Sequence, residues 1–228
     1  VTPNADTGGR YRPRLLDLCC GAGGATRGYQ RAGWYVIGVD IEPQPRYCGD
    51  EFHQADALTY LLAGVDAVHA SPVCKRWSQV TRSSRHAGEH PDQIGPLRAR
   101  LAASGLPYVI ENVPKAPLLD PITLCGSMFD LDVRRHRCFE TNWPLADHYW
   151  PCRHRIWSPR YPSNRSRRDS LASVIDVSGH QNHGQTVADW RRAMGIDWMT
   201  RDELAQAIPP AYTEWIGAQL LEAIAHAA

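Results

Sequence analysis

The chain has 228 residues, 43% of them hydrophobic, with 25 Lys and Arg against 24 Asp and Glu, a formal charge of +1. That length suits one large domain, or one domain with an appendage, and can bury a real core; the composition excludes a disordered chain, and the near-zero charge excludes inferring nucleic-acid binding from net charge alone. Seven irregularly spaced cysteines without a secretory leader suit reduced thiols in a cytosol rather than a disulfide framework. No apolar run approaches the ~18 residues of a membrane span. A soluble, cytoplasmic protein with no membrane association is expected.

Residues 1–13 read as a polar tail, expected to be loose. "RLLDLCC" (14–20) reads as a buried strand, followed by "GAGG" and the helix "ATRGYQRAG". "WYVIGVD" (34–40), "VDAVHAS" (65–71) and "LPYVIENV" (106–113) are further strands, with a helix over 92–104 between the last two. This alternation predicts an α/β fold, a mostly parallel sheet covered by helices. From Trp143 to about Arg168 the pattern changes to prolines, aromatics and arginines. There Arg153, Arg155, Arg160, Arg165, Arg167 and Arg168 face only Asp147 and Asp169. Order returns with "TVADWRRAMG", capped by Thr186 and closed by Gly195, and with the capping box "TRDE" at 200–203. Pro210 is placed to open a last helix with Ile216, Leu220 and Ile224 on one face.

The loop "DLCCGAGG" (17–24) joins a strand to a helix, where glycines let a ligand approach backbone N–H groups. Gly21, Gly23 and Gly24 form a G-x-G-G variant, which a plain tight turn explains almost as well. Asp40 strengthens the ligand reading: it ends the next strand about twenty residues on, where a carboxylate accepts both ribose hydroxyls of an adenosine. Asp56, after "HQA" at another strand end, suits an adenine amino group or a helix N-cap. Cys74 follows the strand "VDAVHA", and in open α/β sheets ligands bind beyond such strand ends. An isolated cysteine reads first as an inert buried side chain. Glu111, however, ends "YVIENV", and a glutamate after four apolar residues needs a partner or a task. Thiol and carboxylate at neighbouring strand ends share one cleft.

"DLCCGAGG", "GVDIEP", "SPVC", "ENV", "RRHR" and "IPPAYTEWIG" occur in the order and spacing of the cytosine-C5 DNA methyltransferases, which the chain resembles from about residue 14 to residue 220. The resemblance implies a Rossmann-like fold dependent on S-adenosylmethionine (AdoMet). It implies methyl transfer to C5 of a flipped-out cytosine in double-stranded DNA through a covalent bond from Cys74 to C6. Glu111 would hold the N3/N4 edge. Arg135 and Arg137 would contact O2 and support the thiol and carboxylate, their charge favouring the thiolate. Around the cofactor it places Asp17, Cys19, Gly21, Gly23, Gly24, Asp40, Ile41, Asp56, Ala57, Gln206 and Ala207. Residues 75–90 correspond to a catalytic loop closing over DNA, with Lys75, Arg76, Ser78, Arg82 and Arg85 as DNA contacts. Arg153 and Arg155 join them from the basic segment.

The chain also departs from the family. Pro-Pro-Cys-Gln is usual, but here Val73 and Lys75 flank the thiol, which leaves the backbone before Cys74 less fixed. Cys19 stands where an aromatic packs on adenine, and Gln206-Ala207 where Asn and Ser are common, so the cofactor is AdoMet in plain or modified form. Only about 65 residues, Trp143 to Ala207, separate the arginine motif from the last helix motif, as in short phage-encoded members. The expected organisation is a tail (1–13), a catalytic domain (14–142), a reduced recognition region (143–185) and C-terminal helices completing the catalytic domain (186–228). A monomer is expected, with room for a protein partner supplying specificity. "PCRH" (151–154), with Cys125 and Cys138, invites a zinc reading, but no C-x₂₋₄-C pair supports it, so no metal is expected. Two other readings stay open. One is an inactive DNA-binding protein that kept the fold; the other is the same chemistry on RNA or a free cytosine nucleotide.

Overall fold

The computed structural model describes residues 11–74, 77, 92–146, 151–152, 175–177 and 184–227. Strands β1 (Arg14–Leu18), β2 (Tyr35–Asp40), β3 (Glu51–Gln54), β4 (Ala67–Ala70), β5 (Tyr108–Asn112), β6 (Ile122–Leu124) and β7 (Arg137–Thr141) form one sheet in the order β3-β2-β1-β4-β5-β7-β6. The pairings among β1 to β5 are parallel, whereas β7 runs antiparallel to both its neighbours. Helices α1 (Gly24–Ala32), α2 (Ile94–Ser104), α3 (Val187–Met194), α4 (Arg201–Gln206) and α5 (Pro210–Ala227) complete the fold, with a short 3-10 turn at Gly126–Phe129. The predicted elements are present with ends shifted by one or two residues. The sequence reading did not name β6, β7 or the 3-10 turn, whose strands are short and half-polar.

Alternate residues of the strands face opposite layers, as a period of two requires. Leu15, Val36, Ala67 and Val109 pack under α1 and α5 with Tyr29, Tyr212, Ile216 and Leu220. Leu16, Ile37, Val68 and Ile110 pack against Leu97 and Leu101 of α2. The sheet therefore carries helices on both faces. A third cluster, built on Trp190, Met194, Met199 and Leu204 of α3, α4 and the link between them, covers Val133 and Val177. Both short helices start on the expected boxes: Thr186 and Asp189 cap α3, and Thr200 and Glu203 cap α4. Among the described residues no helix is long and apolar enough to cross a membrane.

Helices α1 and α5 approach through small residues. A Cβ on Gly24 would lie 2.6 Å from the Ile208 carbonyl oxygen, and one on Gly28 would overlap the Pro210 carbonyl and the Thr213 hydroxyl. Thr213 donates to the Ala25 carbonyl at 2.7 Å, and the Trp34 indole N–H donates to the Gly217 carbonyl at 3.0 Å. These contacts hold the chain's last helix to the glycine loop. Gly28→Ala should therefore destabilise the protein despite alanine's higher helix propensity, by about 1–3 kcal/mol, as overpacking does. Its urea midpoint should fall with an unchanged slope.

Candidate active site

All five parallel strands deliver their carboxyl ends to one edge. Sheet order turns at β1, with β2 on one side and β4 on the other, which opens a crevice above β1 and β4. The loop after β1 lines it. Cys19 and Gly21 take left-handed backbone angles (φ 59° and 51°), and a Cβ on Gly21 would meet nothing within 4 Å, so this part of the loop faces open space. The Gly21 N–H donates to one oxygen of Asp40 at 2.9 Å and the Glu42 N–H to the other at 3.0 Å. Each oxygen keeps a lone pair for an outside donor. Ile41 beside it is 65% exposed. Asp56 is exposed and accepts the Leu58 N–H at 2.8 Å, opening a turn rather than capping a helix, while Ala57 is buried with its carbonyl on Arg100. Ala207 lies against the start of α1, where a Cβ on Gly24 would come within 3.1 Å of it; its neighbour Gln206 is exposed. Gly23 and Gly24 owe their identity to packing against Cys48 and the Ile208 segment. Burial pushes the Cys19 thiol up to about 12.

Asp17, expected at the cofactor, is placed elsewhere. The pleat turns it under α1, where it is fully buried and accepts the Thr26 hydroxyl at 2.5 Å, while its second oxygen has no partner. Burial pushes its carboxyl up to about 7, against the Thr26 hydrogen bond and helped by the charges of Asp40 and Glu111. The folded protein thus holds this proton more tightly than the unfolded chain. That stability is complete below about pH 4 and declines up to about pH 7, by on the order of 4 kcal/mol. Asp17→Asn should remove this decline: the stability difference between variant and wild type, from urea unfolding at pH 5 to 8, should shift progressively in the variant's favour.

Cys74 follows β4 in a segment held from several sides. The Ser71 N–H donates to the Leu18 carbonyl at 3.0 Å, the Asn112 side-chain amide to the Pro72 carbonyl at 2.9 Å, and the Trp77 N–H to the Cys74 carbonyl at 2.9 Å. The Val73 N–H donates to the Gln93 side chain at 3.3 Å. Proline has no such donor. The backbone before the thiol, expected to be less fixed without the usual proline, is thus held by its own N–H donating to the side chain of the residue preceding α2.

Glu111 near the end of β5 is 7% exposed, and Arg137 at the start of β7 brings its Nε to 3.0 Å from Oε1. This contact is an ion pair without hydrogen-bond alignment, because Oε1 still lacks an aligned donor. Burial raises the Glu111 carboxyl, opposed by Arg137, a Ser71 hydrogen bond and Arg135. Burial likewise raises the Cys74 thiol; Arg137 and Arg135 pull it down, and Glu111 pushes it up. The two arginines do favour the thiolate, as expected, but burial outweighs them. Arg135 is 3% exposed, and its guanidinium donates to the carbonyls of Val177 and, at 2.7 Å, Ala205. Its backbone carbonyl accepts the Tyr212 hydroxyl at 2.7 Å. It acts on Cys74 and Glu111 through charge and ties the arginine motif to α5 and the α3–α4 cluster.

Sequence reasoning missed one network. The Tyr29 hydroxyl lies 2.9 Å from His69 Nδ1, His69 Nε2 lies 2.9 Å from the Ser71 hydroxyl, and Ser71 bonds Glu111. With Ser71 donating to the carboxylate, His69 must donate from Nε2 and accept from Tyr29 at Nδ1. Burial holds His69 down to about 3, so it is neutral. The one available signal was a histidine inside the apolar strand "AVHA". Lys75, Arg76, Ser78, Arg82, Arg85, Arg153 and Arg155 lie outside the described residues.

No family model matches the sequence, and no curated protein matches it. Solved structures do match. One is a prophage-encoded protein from E. coli held to be a DNA modification methyltransferase (TM-score 0.60, 15% identity, covering 94% of this chain and 99% of the other). Another is the S. pombe Dnmt2 methyltransferase (TM-score 0.60, 14% identity, 93% and 99%). A third is the Entamoeba histolytica methyltransferase EhMeth (TM-score 0.58, 11% identity, 94% and 99%). At such identities the likeness is one of fold. The chain has the Rossmann-like fold of AdoMet-dependent methyltransferases.

The electrostatics of Cys74 can be measured without substrate. Its alkylation by iodoacetamide, followed by peptide mass spectrometry, should be slow at neutral pH and still rising past the ordinary thiol range of about 8.5. Glu111→Gln should shift the profile to lower pH and Arg137→Ala to higher pH. An unshifted profile in both variants would mean that neither charge reaches the sulfur.

Proposed function

We propose that the protein transfers a methyl group from AdoMet to C5 of a flipped-out cytosine in double-stranded DNA. The observation that carries this reading is the convergence of Cys74, Glu111 and Arg137 at one sheet edge, beside a glycine loop that faces open space. The residues fit the cofactor: Asp40 keeps lone pairs for ribose hydroxyls, Ile41 offers an uncovered apolar surface, and the Gly21 backbone leaves room for close approach. Asp56, Gln206 and Ala207 complete its surroundings. Bound, AdoMet supplies a methyl group made electrophilic by its sulfonium.

Cys74, once deprotonated, attacks cytosine C6; the ring's π electrons move toward C5 and N3, and C5 becomes nucleophilic. Glu111 spans the N3/N4 edge. A carboxyl raised by burial is suited to donate its proton to N3 while its other oxygen accepts from N4. Arg137 holds Glu111 in place and stabilises negative charge on sulfur as the new bond breaks. Loss of the C5 proton to water and expulsion of the Cys74 sulfur, with the N3 proton returning to Glu111, then restore the aromatic ring. Extruding the base from the duplex costs a few kcal/mol, which contacts from Lys75, Arg76, Ser78, Arg82, Arg85, Arg153 and Arg155 to phosphates would offset. Recognition falls to residues 143–185, with 14–142 and 186–228 forming the catalytic body.

The test is incubation with AdoMet and duplex DNA carrying 5-fluorocytosine. A denaturant-stable protein–DNA adduct should form and be absent in Cys74→Ser. Glu111→Gln should lower methyl transfer by roughly 10²-fold or more with little change in melting temperature. Transfer to RNA or dCMP but not DNA would move the substrate. Tight DNA binding with no transfer to any acceptor would leave a DNA-binding protein without this activity.

A further inference from the structure

Cys125, His136 and Cys152 meet although they come from three separate places in the chain. Cys125 follows β6 and precedes the 3-10 turn, His136 immediately precedes β7, and Cys152 lies ten residues and more beyond β7. One ligand atom from each lies within 4.8 Å of the others, and Cys152 Sγ is 3.4 Å from His136 Nε2. We infer that these three side chains bind a zinc ion.

Donor chemistry and spacing both favour it. Zinc takes thiolate sulfur at about 2.3 Å and imidazole nitrogen at about 2.0–2.1 Å, so a tetrahedral site separates two sulfurs by about 3.8 Å and sulfur from nitrogen by about 3.6 Å. The three atoms need to close by no more than about 1 Å to meet those distances. Two thiolates and an imidazole are soft donors that neutralise a divalent ion and select zinc over magnesium or calcium. An outer partner is present: the Ser127 hydroxyl donates to Cys125 Sγ at 3.7 Å. Burial grades across the site, with Cys125 wholly buried, His136 half-buried and Cys152 exposed. A fully buried Cys125 excludes a nucleophilic Cys–His pair, which needs access to a substrate, but suits an inner ligand. Cys138, the other cysteine near in sequence, turns away and pairs with Thr123 at 3.3 Å.

The site would act on the neighbouring chemistry. His136 sits between Arg135 and Arg137, so an ion there would clamp the chain at Cys152, the threshold of the basic segment, to the backbone that presents Arg137 to Glu111. The expectation of no metal rested on the missing C-x₂₋₄-C pair, and here each ligand arrives singly.

The full chain, purified reduced and metal-free, is titrated with Zn²⁺ against a chromophoric chelator, and separately with Co²⁺. The expected result is one ion per chain, with thiolate-to-cobalt charge-transfer bands and intense tetrahedral d–d bands. Cys152→Ser, at an exposed position that leaves folding intact, and His136→Gln should each weaken zinc at least about 10–100-fold, the loss that even an outer-shell partner causes. Cys74→Ser and Cys138→Ser should bind as wild type does. Zinc should raise the melting temperature of wild type but not of Cys152→Ser. Three outcomes would overturn the inference: no zinc bound while every thiol is alkylatable, affinity lost in Cys74→Ser but kept in Cys152→Ser, or a Cys125–Cys152 disulfide that forms regardless of zinc.

Discussion

The direction of β7 is the constraint on which the site depends. Strands β1 to β5 all end at one edge, so a strand placed among them in the same sense would deliver only another carboxyl end. Running the opposite way, β7 delivers its first residue there. Its register, with Glu111 opposite Phe139 and Asn112 opposite Cys138, puts Arg137 diagonally across from Glu111 on the same face. A slip of one residue would turn the guanidinium to the α2 side and leave a buried carboxylate alone, at a penalty of several kcal/mol.

That face of the sheet is also where the polar interior lies. Asp17, His69 and Glu111 face this side from β1, β4 and β5, with Asp17 opposite His69 and Glu111 two residues beyond the position opposite His69, in a layer that is mostly apolar. Each has a partner from a different element: Thr26 for Asp17, Tyr29 and Ser71 for His69, Arg137 for Glu111. Burial disfavours the charged form of all three, and helix α1 supplies the hydroxyls that meet Asp17 and His69.

What could be read from the sequence was position along a strand. Asp40, Cys74 and Glu111 stand at or past strand ends, and a parallel sheet gathers such residues whatever the details of packing. The capped helices and the apolar face of α5 were equally legible, because caps and periodicity are local. Facing was not. Asp17 precedes the glycine loop by four residues, yet the pleat directs it inward; Arg135 and Arg137 differ by two residues, yet one is bound to distant carbonyls and the other reaches Glu111. Nor could the pattern show that Val73 trades a proline's rigidity for a bond to Gln93, or that His69 has partners on both nitrogens. The first rests on a contact between residues 20 positions apart, and the second on Tyr29, 40 positions from His69, as well as on nearby Ser71.

Residues 175–177 return beside 133–135: Val133 pairs with Ile175, Arg134 binds Asp176 at 2.5 Å, and Arg135 holds the Val177 carbonyl. At the other stem, the Ala146 N–H donates to Gln219 of α5 at 2.9 Å. Both stems are thus anchored to the sheet and its helices, and between ends fixed in this way closing a loop twice as long costs only about 0.6 kcal/mol more. The architecture thus permits one segment to be exchanged or to grow while Asp40, Cys74, Glu111 and Arg137 keep their places.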